Sequence, residues 1–411
     1  MSLAAAGGRR HGGRTARGAT ALVRGPFPRV PAPIAVLLFL AVMVPVEFGF
    51  NVGPLFFTWM RLFVFAAALV VLPLAFATIR LRTFDWLMVA HVAWVFVSRI
   101  VTLGPGQGLE NGGSYVLEVL TVYMMVRLYV RSAEQVLAIF RLLFWLAAIA
   151  TILAIPEALL KYRFIHEFAS GITGNTYNFS NDERLGMLRA ASLFEHPILF
   201  GMFCAALLSP LWFTTRGFGR LVRAGIVAVG TFFSLSSAPL LVFVAQVGLI
   251  GVERTTRWLR GRVTLIALGG IGVVVFLETF SGRGFVGWLT LVMLNPQTAW
   301  WRVAQVEYSV DDIAANPLFG IGFREYSRPE WLSASIDNHF LWLALSSGIP
   351  ALLFFLLAVL FTWRALARVD ARGQPPVFAK LRTGWGLMIV ALLLGGATVT
   401  YFGRMLPLMA F

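Results

Sequence analysis

Arginine is the residue type in this chain that is best suited to chemistry. Only Lys161 and Lys380 are lysines, so arginine provides almost all of the 34 positive charges. A guanidinium donates two parallel hydrogen bonds to a phosphate and can stabilise negative charge that develops on a phosphate leaving group. Arg189 opens the stretch RAASLFEHPILFG, and Arg302 closes QTAWWR. Both arginines are therefore candidate phosphate ligands.

Two more arginines and one histidine extend this set. Arg283 lies between two glycines in SGRG, which would allow a phosphate to approach closely, and Arg324 is a candidate supporting ligand. His339 stands in SIDNHFLWLALSSGIP, two residues after Asp337. Imidazole is matched to proton transfer at neutral pH, so we predict that His339 is a general base oriented by Asp337.

The stretch that begins at Arg189 also contains Glu195 and His196, which are possible supporting residues. Purely structural interpretations remain open for these candidates. Arg189 could anchor a helix end at phospholipid phosphates, and Arg302 could be a solvated charge. His339 could cap the following helix, and His196 could be a buried structural histidine.

Several common catalytic motifs are missing from the sequence. It contains no GxxxxGK[ST] loop, no HExxH and no GxSxG, and its five histidines are scattered. Cys204 is the only cysteine, which excludes a disulfide framework and a cysteine-ligated metal site. We therefore predict neither a metal site nor a cofactor, and the chain does not resemble an ATPase.

The composition indicates where these residues must be positioned. Hydrophobic residues make up 58% of the chain and charged residues 13%, and the mean hydropathy is +0.79. A soluble protein of 411 residues would need roughly a quarter charged residues. The net charge of +15 is distributed between long apolar runs, which favours membrane topology over nucleic-acid binding.

Apolar runs of membrane-spanning length repeat along the chain. Because a helix needs about 20 residues to cross the hydrocarbon core, we predict an all-α transmembrane bundle of about 11 (10–12) spans. Residues 1–32 are predicted to be a disordered basic tail, and residues 33–411 a single transmembrane domain. The predicted spans are 33–50, 54–78, 84–103, 115–130, 136–156, 191–214, 222–236, 238–253, 262–280, 336–363 and 384–409.

The distribution of charge predicts the orientation. With a cytoplasmic N-terminus, most of the 34 cations fall on the cytoplasmic side, and most of the 19 acids fall on the other. Two external segments, 157–190 and 281–335, are longer than ordinary connectors. In the second, TAWWRVAQVEYSVDDIAANP predicts an amphipathic helix capped by Thr298. Its apolar stripe contains Val303, Val306 and Val310, and its polar face contains Arg302 and Gln305.

Three of these stretches, in this order, resemble the O-antigen ligase and polymerase superfamily of bacterial membrane proteins. They are RAASLFEHPILFG, QTAWWR with the NPLFGIGF that follows it, and SIDNHFLWLALSSGIP. The resemblance covers about residues 150–360. Many members carry an arginine where this chain has SLSSAPL, from Ser234 to Leu240, and this difference favours a polymerase over a ligase.

The resemblance implies a GT-C-type glycosyltransferase of the bacterial inner membrane with its active face in the periplasm. Such an enzyme transfers glycan from an undecaprenyl-pyrophosphate donor to a glycan or lipid-linked acceptor, without metal and with inversion. Arg189, Arg302 and Arg283 would bind the donor pyrophosphate. The expected partners are these substrates, membrane lipids and other polysaccharide assembly or export proteins, with no nucleic acid.

Two other functions remain open. A flippase for a lipid-linked glycan would use broken helices near the midplane, and the break predicted at Ser234–Pro239 fits that requirement. A non-catalytic component of a polysaccharide export complex is the third possibility. The absence of detectable repeat symmetry and the long external segments favour the enzyme.

Overall fold

A computed structural model describes residues 29–52, 55–177, 179, 182–256, 258, 276, 279–281, 296–368 and 376–401. It confirms a helical, multi-pass membrane fold. Helices α1–α7 are Ala32–Met43, Trp59–Thr78, Thr83–Leu103, Pro105–Tyr129, Ala133–Leu160, Phe164–Thr173 and Pro197–Ala206. Helices α8–α14 are Leu208–Thr214, Phe218–Phe233, Ser237–Thr255, Pro296–Ala315, His339–Ser347, Ile349–Arg368 and Pro376–Gly396.

Strands are confined to two short antiparallel hairpins in the described residues. They pair β1 (Phe50–Val52) with β2 (Leu55–Phe57), and β3 (Glu183–Arg184) with β4 (Met187–Leu188). Seven described segments are helical, long and apolar enough to cross a membrane. They are Trp59–Thr78, Thr83–Leu103, Ala133–Leu160, Pro197–Thr214, Ser237–Thr255, Ile349–Arg368 and Pro376–Gly396. The predicted tail lies almost entirely, and span 262–280 mostly, outside the described residues.

The helices bury small and branched side chains against one another. Helix α3 packs against α4 and α13, helix α5 against α9, and helix α8 against α14. On α5, Ala147, Ala150 and Ala154 are completely buried, which lets neighbouring helices approach closely. Leu69 and Val70 on α2 face outward, as expected for side chains in contact with lipid.

Two predicted spans are interrupted. The region 191–214 becomes helical only at Pro197, and the region 336–363 is broken between α12 and α13 at Gly348. Gly348 adopts a φ of 86°, and a Cβ there would collide with the backbone carbonyl of Leu318. The predicted break at Ser234–Pro239 is confirmed, because α9 ends at Phe233 and α10 begins at Ser237.

The segment after α11 is anchored to the bundle through its backbone carbonyls. The Trp94 indole donates to the carbonyl of Leu318 at 3.0 Å, and the Ser98 hydroxyl donates to that of Phe319 at 2.6 Å. The N–H of Ile321 donates to the carbonyl of Leu345 at 2.8 Å. The NPLFGIGF stretch is therefore fixed between helix α3 and the break after α12.

Helix α11 confirms the predicted amphipathic helix. Its polar face packs inward, and its apolar stripe is exposed. The helix begins at Pro296, two residues before the expected cap Thr298. Gln305 and Ser309 on the polar face are buried, whereas Val306 and Val310 on the apolar stripe are 43% and 51% exposed. The polar face points inward because Gln305 bonds to the loop that precedes α12.

Candidate functional site

A cavity of about 970 Å³ opens between the β3–β4 hairpin, the start of α10 and helix α11. The segment before α12, α12 itself and the segment after α14 complete its wall. We call this space the arginine cavity. Four arginines line it, together with three acids, one histidine and several hydroxyl groups. The charged and histidine side chains in its wall are Asp182, Glu183, Arg184, Arg189, His196, Arg302, Arg324 and Asp337.

Arg189 is held at two points in the cavity wall. Its guanidinium donates to Asp182 Oδ2 and to the hydroxyl of Ser236, both at 3.0 Å. Ser236 belongs to SLSSAPL, the stretch where many family members carry an arginine, and here its hydroxyl supports Arg189 instead. Only 6% of Arg189 is exposed.

The extended segment that carries Arg189 is held by a carboxylate that sequence reasoning missed. Glu157, at the end of α5, accepts the N–H groups of Ala191 and Ser192 at 3.0 and 2.8 Å. It also accepts a hydrogen bond from Arg163 at 2.6 Å, and both side chains are buried. An acid near the end of an apolar run, followed six residues later by an arginine, was the available signal.

Arg184, a residue not singled out from the sequence, lies near both predicted phosphate ligands. Its guanidinium donates to the carbonyl of Leu235 at 3.0 Å. Burial, together with the positive charge of Arg184, lowers the pKa of Arg189 to about 10. Burial also lowers the pKa of Arg302, and Arg184 adds to that shift although Asp337 opposes it. The wall thus concentrates cations whose charges repel one another.

The negative groups do not remove this excess of positive charge. Glu183 pairs with Lys161 at 2.6 Å, which leaves Asp182 and Asp337 as the cavity's other carboxylates, against four arginines. Arg324 donates from Nε to the carbonyl of Ile321 at 3.2 Å. An anion is the ligand that this arrangement favours.

Asp337 reaches the cavity because helix α11 fixes its backbone. Gln305 accepts the N–H of Asp337 at 3.0 Å and donates to the carbonyl of Ser335 at 2.7 Å. The hydroxyl of Thr400 donates to the carbonyl of Ile336. Burial raises the pKa of Asp337, while the charges of Arg302 and Arg189 lower it.

His339 does not line the arginine cavity. It is 1% exposed, and its ring stacks on Trp342 with the centroids 5.8 Å apart. Its Nδ1 has no hydrogen-bond partner among the described residues. The cap of α12 is Asn338, whose side chain accepts the N–H groups of Phe340 and Leu341 at 3.0 and 3.1 Å.

His196 and Glu195 are adjacent in sequence but line different spaces. His196 lines the arginine cavity, and its Nδ1 accepts the N–H of Ile198 at 3.1 Å, so the neutral ring carries its proton on Nε2. Glu195 lines a separate pocket. Arg283 lies outside the described residues.

Arg99 adds a buried positive charge behind the cavity wall. It is 2% exposed and donates to the carbonyl and the hydroxyl of Ser346, both at 3.3 Å. Its guanidinium lies 4.0 Å from the ring centroid of Phe323. Ser346 and Phe323 both line the cavity, so Arg99 supports its wall. An ionisable residue within an apolar span was the signal for this position.

Part of the chain is similar to a known protein family. The family model described as O-antigen ligase matches residues 223–356, about a third of the chain. The match includes Arg302, Arg324, Asp337 and His339, and it confirms the similarity to the O-antigen ligase and polymerase superfamily. Over these residues the chain is similar to membrane proteins that join glycans. No curated protein matches the chain.

Proposed function

We propose that the protein is a glycosyltransferase that polymerises glycan repeat units carried on undecaprenyl pyrophosphate. The observation that carries the proposal is the grouping of Arg184, Arg189 and Arg302 around one cavity. Crowded arginines of this kind are stabilised when a multiply charged anion neutralises them. A pyrophosphate matches this requirement through bidentate hydrogen bonds.

The proposed reaction is a displacement at the anomeric carbon of the donor glycan. The acceptor oxygen forms the new glycosidic bond while the bond from the anomeric carbon to the pyrophosphate oxygen breaks. The bonding electrons leave with the pyrophosphate, where Arg189 and Arg302 stabilise the growing charge. Attack from the face opposite the leaving group inverts the configuration. Because arginines supply the positive charge, the proposed step requires no metal ion.

We assign proton removal from the acceptor to Asp337. It lines the same cavity as the arginines, and burial raises its pKa towards the range useful for a base. His339 is the alternative base, but its position behind Trp342 keeps it out of the cavity wall. His196, with its proton on Nε2, is assigned as a hydrogen-bond donor to the donor phosphate or sugar.

The proposed setting is the bacterial inner membrane, with the N-terminus in the cytoplasm and the cavity at the periplasmic face. The charge asymmetry of the loops supports this orientation. A polymerase is favoured over a ligase, since the stretch SLSSAPL has no arginine where many members carry one, and its Ser236 supports Arg189. The acceptor is then a second lipid-linked glycan.

The test uses purified full-length protein with a purified lipid-linked repeat unit, with and without a second acceptor. A polymerase extends the repeat unit without any added acceptor, whereas a ligase requires lipid A–core. Absence of transfer under both conditions, with donor still bound, would overturn the proposed activity. Movement of intact donor across proteoliposomes would support the flippase alternative.

A further inference from the structure

A second polar pocket lies beside the arginine cavity and has the opposite charge. We call it the carboxylate pocket; its volume is about 460 Å³. It lies between the β1–β2 hairpin, the first turn of α2, helix α4 and the segment after α6. The residues that line it are Val46, Glu47, Asn51, Phe56, Thr58, Met60, Arg61, Glu118, Asn175, Thr176, Tyr177 and Glu195.

Glu47 lines this pocket, and one of its carboxylate oxygens lacks a hydrogen-bond donor in the described part of the chain. Its side chain is 1% exposed, and Oε1 lies 2.8 Å from Nδ1 of His166. The second oxygen, Oε2, is buried and has no hydrogen-bond partner among the described residues. A buried carboxylate oxygen without a donor is costly, so a ligand that brings a hydroxyl or ammonium group would be stabilised there.

The other charged groups are fixed in place. Arg61 donates from Nε to Glu118 Oε1 at 2.5 Å and from Nη1 to the carbonyl of Phe56 at 3.1 Å. The Asn175 amide donates to the carbonyls of Glu47 and Gly49 at 2.9 and 2.7 Å, which joins the segment after α6 to the turn after α1. The pocket is therefore preorganised rather than formed by mobile side chains.

The balance of charge selects the class of ligand. Three carboxylates, from Glu47, Glu118 and Glu195, face one guanidinium from Arg61. This excess of negative charge disfavours phosphates and uronic acids and favours groups that donate hydrogen bonds. Tyr177 is 40% exposed, and its ring adds an apolar surface on which a sugar ring can pack.

The pocket adjoins the arginine cavity through a single chain segment. Glu195 lines the pocket, and the next residue, His196, lines the cavity. Neighbouring Cα atoms are about 3.8 Å apart, so the two spaces flank one thin wall. The two spaces are therefore close neighbours at this segment.

We propose that the carboxylate pocket binds a neutral or amino sugar of the glycan substrate through Glu47, Glu118 and Glu195. This inference rests on the proposed function for the identity of the substrate. The choice of a neutral or amino sugar depends only on the residues of the pocket. Oε2 of Glu47, which is unpaired among the described residues, would accept a hydrogen bond from a sugar hydroxyl or ammonium group.

Saturation-transfer NMR on the purified full-length protein in detergent tests the proposal. The probes are the methyl glycosides of glucose, galactose and mannose, their 2-amino counterparts, and methyl glucuronide. We expect saturation transfer to at least one neutral or amino glycoside, and this signal should fall when the pocket is altered by the variants below. Any transfer to the glucuronide should be unaffected by those variants, because the arginine cavity also favours anions. No transfer to any neutral or amino glycoside, or a glucuronide signal that falls equally in the pocket variants, would overturn the proposal.

Matched variants locate the binding. Glu47→Gln should weaken binding by at least about tenfold, as expected when a charged acceptor of a hydrogen bond is lost. Thr176→Trp, a change at an exposed residue of the rim, should block the pocket without disturbing the Glu47–His166 contact. Glu167→Gln, at an exposed carboxylate on α6, is the control and should bind normally. Normal binding by both pocket variants would contradict the assignment.

The sugar-binding experiment and the glycan-transfer assay can fail independently of each other. Arg302→Ala should keep the sugar signal while it loses glycan transfer. If transfer by the unmodified protein is found but no glycoside binds in the pocket, only the pocket assignment fails. If glycosides bind there but no transfer occurs under any condition, only the proposed activity fails.

Discussion

The arginine cavity and the carboxylate pocket lie on two sides of the segment that contains Glu195 and His196, yet they carry opposite charge. In the cavity, Asp182 pairs with Arg189, but the other hydrogen bonds of Arg184 and Arg189 go to neutral groups, and the four arginines outnumber the carboxylates. In the pocket, carboxylates outnumber the single Arg61. The same face of the molecule thus offers one site for an anion and one for hydrogen-bond donors.

This difference in charge indicates that the two sites have different roles. A lipid-linked glycan has a strongly anionic end, which is the pyrophosphate, and a hydroxyl-rich end, which is the sugar chain. If the cavity performs the chemistry and the pocket holds sugar, substitutions in the two regions should affect different kinetic quantities. Cavity variants should reduce turnover, whereas pocket variants should weaken binding.

The largest expected effect is on Asp337. Asp337→Asn keeps the size of the side chain but removes the base, so turnover should fall roughly 10²–10⁴-fold with donor binding retained. His339→Gln should stay within a few-fold of normal turnover, because His339 does not line the cavity. Transfer rates and donor binding of both purified variants provide the measurement. A severe loss of turnover in His339→Gln with normal abundance, and little loss in Asp337→Asn, would return the role of base to His339.

The next largest loss of turnover is expected for substitutions of Arg302. Arg302→Ala should lower turnover by about 10²–10³-fold, the usual cost of losing one donor to a developing anion. Arg302→Lys keeps the charge but loses the bidentate geometry, so it should remain strongly impaired. Glu307→Ala, at an exposed residue on the same helix, is the matched control and should be near normal. Near-normal transfer by Arg302→Ala would mean that Arg302 is only a solvated charge.

The sequence was sufficient to predict much of the cavity. It predicted that Arg189, Arg302, Asp337 and His339 belong to one site; the first three line the arginine cavity, and His339 does not. Hydropathy also predicted the helical membrane fold, because spans are long and their apolar signal is strong. The proposed roles of these three residues are still predictions.

What the sequence could not predict depends on contacts between distant segments. An apolar run reads as one helix even where Glu157 holds the backbone of Ala191 and Ser192 in a turn, with Ser192 at a φ of 57°. Likewise, the sequence predicted the polar face of α11 but not that Gln305 is buried against the loop before α12. Periodicity identifies a polar face but does not say whether water or backbone groups satisfy it.

The pH dependence of transfer should sharpen the assignment of the base. Asp337 must be deprotonated to accept a proton, so the rate should fall as the pH drops through its pKa, about tenfold for each pH unit. Because burial raises that pKa, the fall should begin at a higher pH than for an ordinary aspartate. The measurement is the pH profile of kcat/KM. An unchanged acidic limb in Asp337→Asn would show that another group titrates.

A substitution of Glu157 tests whether its contacts hold the segment between the two sites in place. Glu157→Gln removes the charge that Arg163 pairs with and disturbs the acceptors for two N–H groups. Breaking a buried ion pair costs on the order of 3 kcal/mol, so thermal stability in detergent should fall clearly. Glu167→Gln, exposed on α6, should leave stability unchanged. If Glu157→Gln unfolds at the normal temperature, the segment is held by other contacts.

The smallest expected effect is that of a chelator. The four arginines of the cavity provide positive charge for a pyrophosphate, and arginine can take the place of a divalent cation there. Transfer by the unmodified protein should therefore be the same with EDTA as without it. The sharper test combines the chelator with a variant: if arginine supplies this charge directly, adding Mg²⁺ or Mn²⁺ should not restore transfer to Arg302→Ala. A strict requirement for either ion, or rescue of the variant by it, would place a metal at the pyrophosphate and give the arginines a secondary role.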